Sequence, residues 1–103
     1  MDLTSIKKEM PSQERLESLT NLFKVLGDVT RAKILYTIEF DELCVNDICE
    51  CIDMTKSAVS HQLKILRDAH LVKSHKIGKE VFYSLDDEHV SLIFKCALEH
   101  IDE

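Results

Sequence analysis

The chain has 103 residues, is 45% hydrophobic and 31% charged, and carries a formal net charge of −6. That length leaves no room for a second domain, and the composition is that of an ordinary soluble domain. Two glycines and one proline exclude an all-β fold, which needs a turn roughly every 8–12 residues.

Residues 1–12 read as a polar, flexible arm, and residues 13–103 as the folded domain. The arm lacks the apolar run of a signal peptide, and no stretch approaches the ~20 apolar residues of a membrane span. A cytoplasmic protein is expected, with no membrane partner. The four cysteines, Cys44, Cys49, Cys51 and Cys96, are then expected as thiols and not as a disulfide framework.

Leu16, Leu19, Leu22, Phe23 and Leu26 recur at helical spacing, and Gly27 closes the run. Asp28 is a natural N-cap for a second helix through Arg31, Ile34, Leu35 and Ile38. An acidic turn, Glu39–Glu42, precedes a short helix over Val45–Ile52 that buries Val45, Ile48 and Ile52. Thr55 then caps a helix to about Ala69, and the brief turn between the two makes a helix-turn-helix. Two β-like runs follow, Leu71–His75 and Val81–Leu85, around the turn-forming Gly78. A hairpin directly after such a helix is a wing. A last helix opens at Asp86 or Asp87 and runs to the end. The expected fold class is mainly α with a small β-hairpin. A core from so short a chain leaves a monomer marginal, so dimerisation is a natural supplement.

Charge is unevenly spread. Residues 55–80 hold six Lys or Arg against two acids, a local balance of +4, while the remainder sums to −10. A basic strip on an acidic body can hold phosphates while its back repels them. Within the strip, Ser57, Ser60, His61 and Gln62 are of the type that meets base edges. Lys56, Lys64, Lys76 and Lys79 are suited to phosphates.

Three segments together resemble the ArsR/SmtB family of metal-responsive repressors. They are Glu42-Leu43-Cys44-Val45-x-Asp47-Ile48, Ser60-His61-Gln62-Leu63-x-x-Leu66 and Gly78-Lys79-x-x-x-Tyr83-Ser84-Leu85. The resemblance spans about residues 15–103. It implies a winged helix-turn-helix homodimer on double-stranded operator DNA, with the first and last helices of that domain in the dimer seam. Neither an enzyme nor a binder of small organic substrates is implied.

The last helix carries Asp87 and His89 at its start and His100 and Glu103 at its end. Eleven residues advance a helix by about 1100°, close to three turns, so both histidines share one face, but they lie roughly 16 Å apart along the axis. Zinc bonds are about 2 Å long, so one helix cannot bring both pairs to one ion. Two copies packed antiparallel can, in two equivalent sites per dimer. Four N/O donors suit Zn(II), and cobalt, cadmium and nickel also fit. The pattern is similar to the C-terminal-helix site of the family's zinc-sensing branch. The reading is an apo dimer that binds its operator and loses affinity when Zn(II) binds.

Cys44 resembles a thiolate ligand of the family's soft-metal sensors. Cys44, Asp47 and Cys49 form a candidate second metal site, and Cys44, Cys49 and Cys51 an alternative soft-metal or redox input. Against it, Asn46 stands where those sensors place a second cysteine, no Cys or His precedes Cys44, and Cys49 and Cys51 point about 200° apart on a helix.

Overall fold

In the computed structural model, which describes all 103 residues, five of the six helices begin where the sequence supplies a side-chain cap. The elements are α1 (Leu3–Glu9), α2 (Gln13–Leu26), α3 (Val29–Phe40), β1 (Leu43–Cys44), α4 (Val45–Ile52), α5 (Lys56–Asp68), β2 (Val72–Ile77), β3 (Glu80–Leu85) and α6 (Glu88–Ile101). Asp2, Ser12, Asp28, Thr55 and Asp87 each accept a backbone N–H from the first turn of α1, α2, α3, α5 and α6. Such bonds satisfy donors that a helix start otherwise leaves open. Only α4 lacks one, its N-cap being Cys44.

The turn between α4 and α5 passes through Asp53, at φ 57° and ψ 49°. Aspartate is one of the few non-glycine residues that enters this left-handed region readily. It lets α5 leave sharply from the end of α4, the helix-turn-helix expected from the sequence.

Ten side chains form the core: Ile34, Leu35 and Ile38 of α3, Ile48 of α4, Val59, Leu63 and Leu66 of α5, with Leu71, Val72 and Val90. They join α3, α4, α5 and the root of the wing into one unit. Outside it, α2 buries no residue and α6 buries only Val90. Phe23, Val29, Phe40, Leu92 and Ile101 remain more than half exposed.

Three features differ from the sequence expectation. The arm contains a two-turn helix, α1, that contributes nothing to the core. The wing is a three-stranded antiparallel sheet in the order β1-β3-β2, because Leu43 and Cys44 pair with Tyr83 and Phe82. Two residues give too short a run for an alternation pattern to reveal. The hairpin turn is tighter than the five residues first allotted. Ile77 pairs with Glu80, leaving Gly78 and Lys79 at the tip with Gly78 at φ 62°. Gly27 does close α2, but at φ −82°. Its missing side chain matters for space, since a Cβ there would lie 3.2 Å from the Phe23 carbonyl oxygen.

Leu63 is 1% exposed and central to the core, whereas Ser60, one turn away, faces solvent. Leu63→Ala is expected to cost about 2–5 kcal/mol in urea denaturation, and Ser60→Ala to stay within about 0.5 kcal/mol.

Candidate nucleic-acid interface and metal centre

Helix α5 turns Val59, Leu63 and Leu66 inward, and this fixes what the opposite face shows. Lys56, Ser57, Ser60, His61 and Lys64 are all exposed. The hydroxyl of Thr55 accepts the Ala58 N–H at 3.2 Å, so the helix starts with its donors ordered and its positive dipole end outward. Lys64 lies 3.4 Å from Asp68, a solvent-screened pair that costs little to open.

The wing stands beside this helix. Lys76 and Lys79 are exposed near its tip. Lys56 of α5 and Lys79 of the wing line one cleft of about 250 Å³, with Asn46 and Tyr83 on its wall. Two of the four lysines assigned to phosphates thus meet across a gap between helix and wing. Arg67 donates to the Ser74 hydroxyl at 3.4 Å, tying the end of α5 to β2. His75 lies 3.4 Å from Glu42 and stacks on Phe82 within the sheet.

Gln62 is placed differently from its neighbours. It is half-buried, and its side-chain oxygen accepts from Arg31 Nη1 at 3.1 Å. One lone pair of its carbonyl is therefore engaged within the protein, and the amide NH₂ stays open to a base edge. This partner was missed. The signal was present, because Arg31 sits in the apolar stripe of Ile34, Leu35 and Ile38, where a charged residue needs a reason.

On α6 the four expected donors form two pairs. Asp87 Oδ1 accepts the His89 backbone N–H at 2.8 Å and lies 3.2 Å from His89 Nδ1. His100 Nδ1 lies 3.6 Å from Glu103 Oε2. The 14 residues of α6 hold the pairs roughly 20 Å apart. No group of three or more His, Cys, Asp or Glu gathers within the single chain. Each pair sets one imidazole nitrogen beside one carboxylate oxygen. The His89 backbone N–H, and after it the imidazole beside the carboxylate, hold Asp87 below its ordinary value of 3.8. A lowered carboxylate stabilises the fold above that ordinary value, and the contribution is lost as pH falls through the lowered one.

Cys44, Asp47 and Cys49 are not drawn into a comparable group. Cys44 is buried at the start of α4, Cys49 packs against the core, and Asp47 is exposed. Cys51 and Cys96 are exposed, apart from these donors.

A recognition helix flanked by a basic antiparallel wing defines a winged helix-turn-helix DNA-binding protein. Residues 28–74 match the family described as bacterial regulatory protein, arsR family. The chain is 35% identical over 98 residues to the transcriptional repressor SmtB homolog of Synechocystis, covering 95% of this chain and 74% of that one. It is 39% identical over 95 residues to the cadmium resistance transcriptional regulatory protein CadC homolog of Staphylococcus aureus, covering 91% and 78%. Its fold is similar to the homodimeric winged helix-turn-helix DNA-binding domain of a Mycobacterium bovis protein, with a TM-score of 0.81 and 24% identity over 91% of this chain and 92% of that one. The chain belongs to the ArsR/SmtB family of metal-responsive winged-helix repressors, and it is a transcriptional regulator. No helix is long and apolar enough to cross a membrane.

Two outcomes follow for these residues. Lys79→Ala is expected to weaken binding to any DNA sequence alike and to flatten the log–log salt dependence by about 0.9 per lysine removed. Asp87→Asn keeps a good N-cap and is expected to retain the melting temperature, whereas Asp87→Ala lowers it; both remove the carboxylate.

Proposed function

We propose that this chain works as a homodimer that represses by holding operator DNA and lets go when zinc bridges its two α6 helices. The supporting observation is the split donor set. Asp87 with His89, and His100 with Glu103, are each paired already, yet they sit at opposite ends of one helix. A second copy running antiparallel puts His100 and Glu103 of the partner subunit beside Asp87 and His89. The symmetry gives two equivalent four-donor sites. Neutral imidazole nitrogens and carboxylate oxygens suit Zn(II), and the ion supplies only a cross-link, since four protein donors leave no open position for a substrate.

The apolar residues left exposed on α2 and α6 support the same assembly. Leu19 and Phe23 on α2, with Leu92, Leu98 and Ile101 on α6, would otherwise face water. Their burial between copies would contribute about 25 cal/mol for each Å² removed from solvent, against the entropy cost of association. Two recognition helices related by a two-fold axis then address half-sites about one helical turn apart. Cross-linking of α6 to its partner favours one arrangement of the two reading units, and an arrangement that misfits the grooves costs operator affinity. By reciprocity the operator lowers zinc affinity by the same factor.

One finding favours a second input. The similarity to a cadmium-resistance regulator turns attention to Cys44, which with Asp47 and Cys49 would take a soft ion through sulfur. Burial of Cys44 and the lack of a gathered donor group weigh against it.

Operator titrations with and without zinc are expected to differ by about 5–150-fold in affinity; coincident isotherms would exclude sensing by this metal. Heterodimers in which one protomer lacks Asp87 and His89 and the other lacks His100 and Glu103 should rebuild one intact site, so they are expected to bind one tight zinc per dimer. Failure to bind any would rule out the bridged arrangement. Co(II) absorption distinguishes the inputs, because a thiolate charge-transfer band appears only when cysteine coordinates.

A further inference from the structure

Arg31 makes three side-chain hydrogen bonds to two different helices. Its Nε donates to the Val25 carbonyl at 2.7 Å, and its Nη2 to the Lys24 carbonyl at 3.4 Å. Both carbonyls belong to the last turn of α2. Its Nη1 donates to the side-chain oxygen of Gln62, at 3.1 Å, on α5. The backbone N–H of Arg31 is itself held by Asp28 at 3.0 Å, within the cap of α3.

Chemistry explains why an arginine stands here. The last four carbonyls of a helix lack partners within it, and only Lys24 gains one locally, from the Gly27 N–H. A guanidinium answers that need and places positive charge at the negative end of the α2 dipole. Its donors are fixed in one plane, so the two bonds to α2 set the direction of the third. Rotation of α2 against α3 would swing the fork away from Gln62 or carry Gln62 with it. Helix α2 also bears Leu19 and Phe23, the exposed apolar face assigned above to the second copy.

We propose that Arg31 is a positioning residue linking the dimer-seam helix α2 to the DNA-reading helix α5. On this proposal, displacement of α2 when zinc joins the protomers reaches the operator through the Arg31–Gln62 hydrogen bond. The inference rests on the metal-released reading above, and adds the contact that carries the signal.

The test uses the full-length dimer and the ratio of operator dissociation constants with and without zinc. Gln62→Leu removes the acceptor at similar volume. It is expected to bring the ratio to within about twofold of one, from a wild-type value in the usual range of about 5–150-fold, while zinc affinity of the DNA-free dimer stays within about twofold. A lost base contact would weaken both affinities alike and leave the ratio intact, so an unchanged ratio overturns the proposal. Gln62→Glu retains an acceptor for Arg31 and is expected to keep the ratio. Should Gln62→Leu not fold, Arg31→Lys carries the same expectation, because one ammonium cannot span both helices. A wild-type ratio of one would refute the zinc reading on its own. The link is then judged on apo operator affinity, where adding Arg31→Lys to Gln62→Leu must cost nothing further; additive losses overturn it.

Discussion

Where the apolar side chains go governs the rest of this molecule. The ten core residues come from α3, α4, α5, the root of the wing and a single position on α6. Interior packing of this kind behaves as a close-packed solid, so the helix-turn-helix and the root of the wing form one packed unit. Helices α2 and α6 pack Leu22, Val25, Leu26 and Phe94 against that unit and leave Leu19, Phe23, Leu92 and Ile101 exposed. On the proposed reading, that exposed apolar surface meets a second copy.

Electrostatics follows the same division. The basic residues gather on α5 and the wing, where Lys56 and Lys79 face one cleft, while the acidic excess lies on the remaining surface. A polyanion meets attraction on one side and repulsion on the other, so a chain with net charge −6 can still be oriented toward DNA. Two further acids, Asp87 and Glu103, lie at the two ends of α6. Each stands beside a histidine, and the pairs are held apart by the length of the helix between them.

Helix α3 lies between the two regions. It packs on α2 and shares the core with α5. Arg31 adds a directional tie, because its planar fork cannot satisfy the α2 carbonyls and Gln62 in arbitrary relative orientations. Greasy contacts between helices tolerate small slides, whereas hydrogen bonds of fixed geometry do not.

Most of the local architecture was legible in the order of residues. Asp28, Thr55 and Asp87 announce helix starts through the bonds they later make, and apolar spacing places Ile34, Leu35, Val59, Leu63 and Leu66 inside. The opposition of the two donor pairs on the last helix also follows from spacing, since helical rise is the same in every chain. Other features depended on residues distant in sequence. Leu43 and Cys44 become a strand only because Tyr83 and Phe82 lie alongside them. Gln62 looked like a free base-reading amide, and its carbonyl accepts from an arginine 31 positions earlier. The arm reads as irregular, yet Asp2 caps a short helix in it. Periodicity and caps act within a turn or two of backbone, so they can be read directly. Strand partners and side-chain hydrogen bonds across the fold are fixed only once packing has set the helices in place.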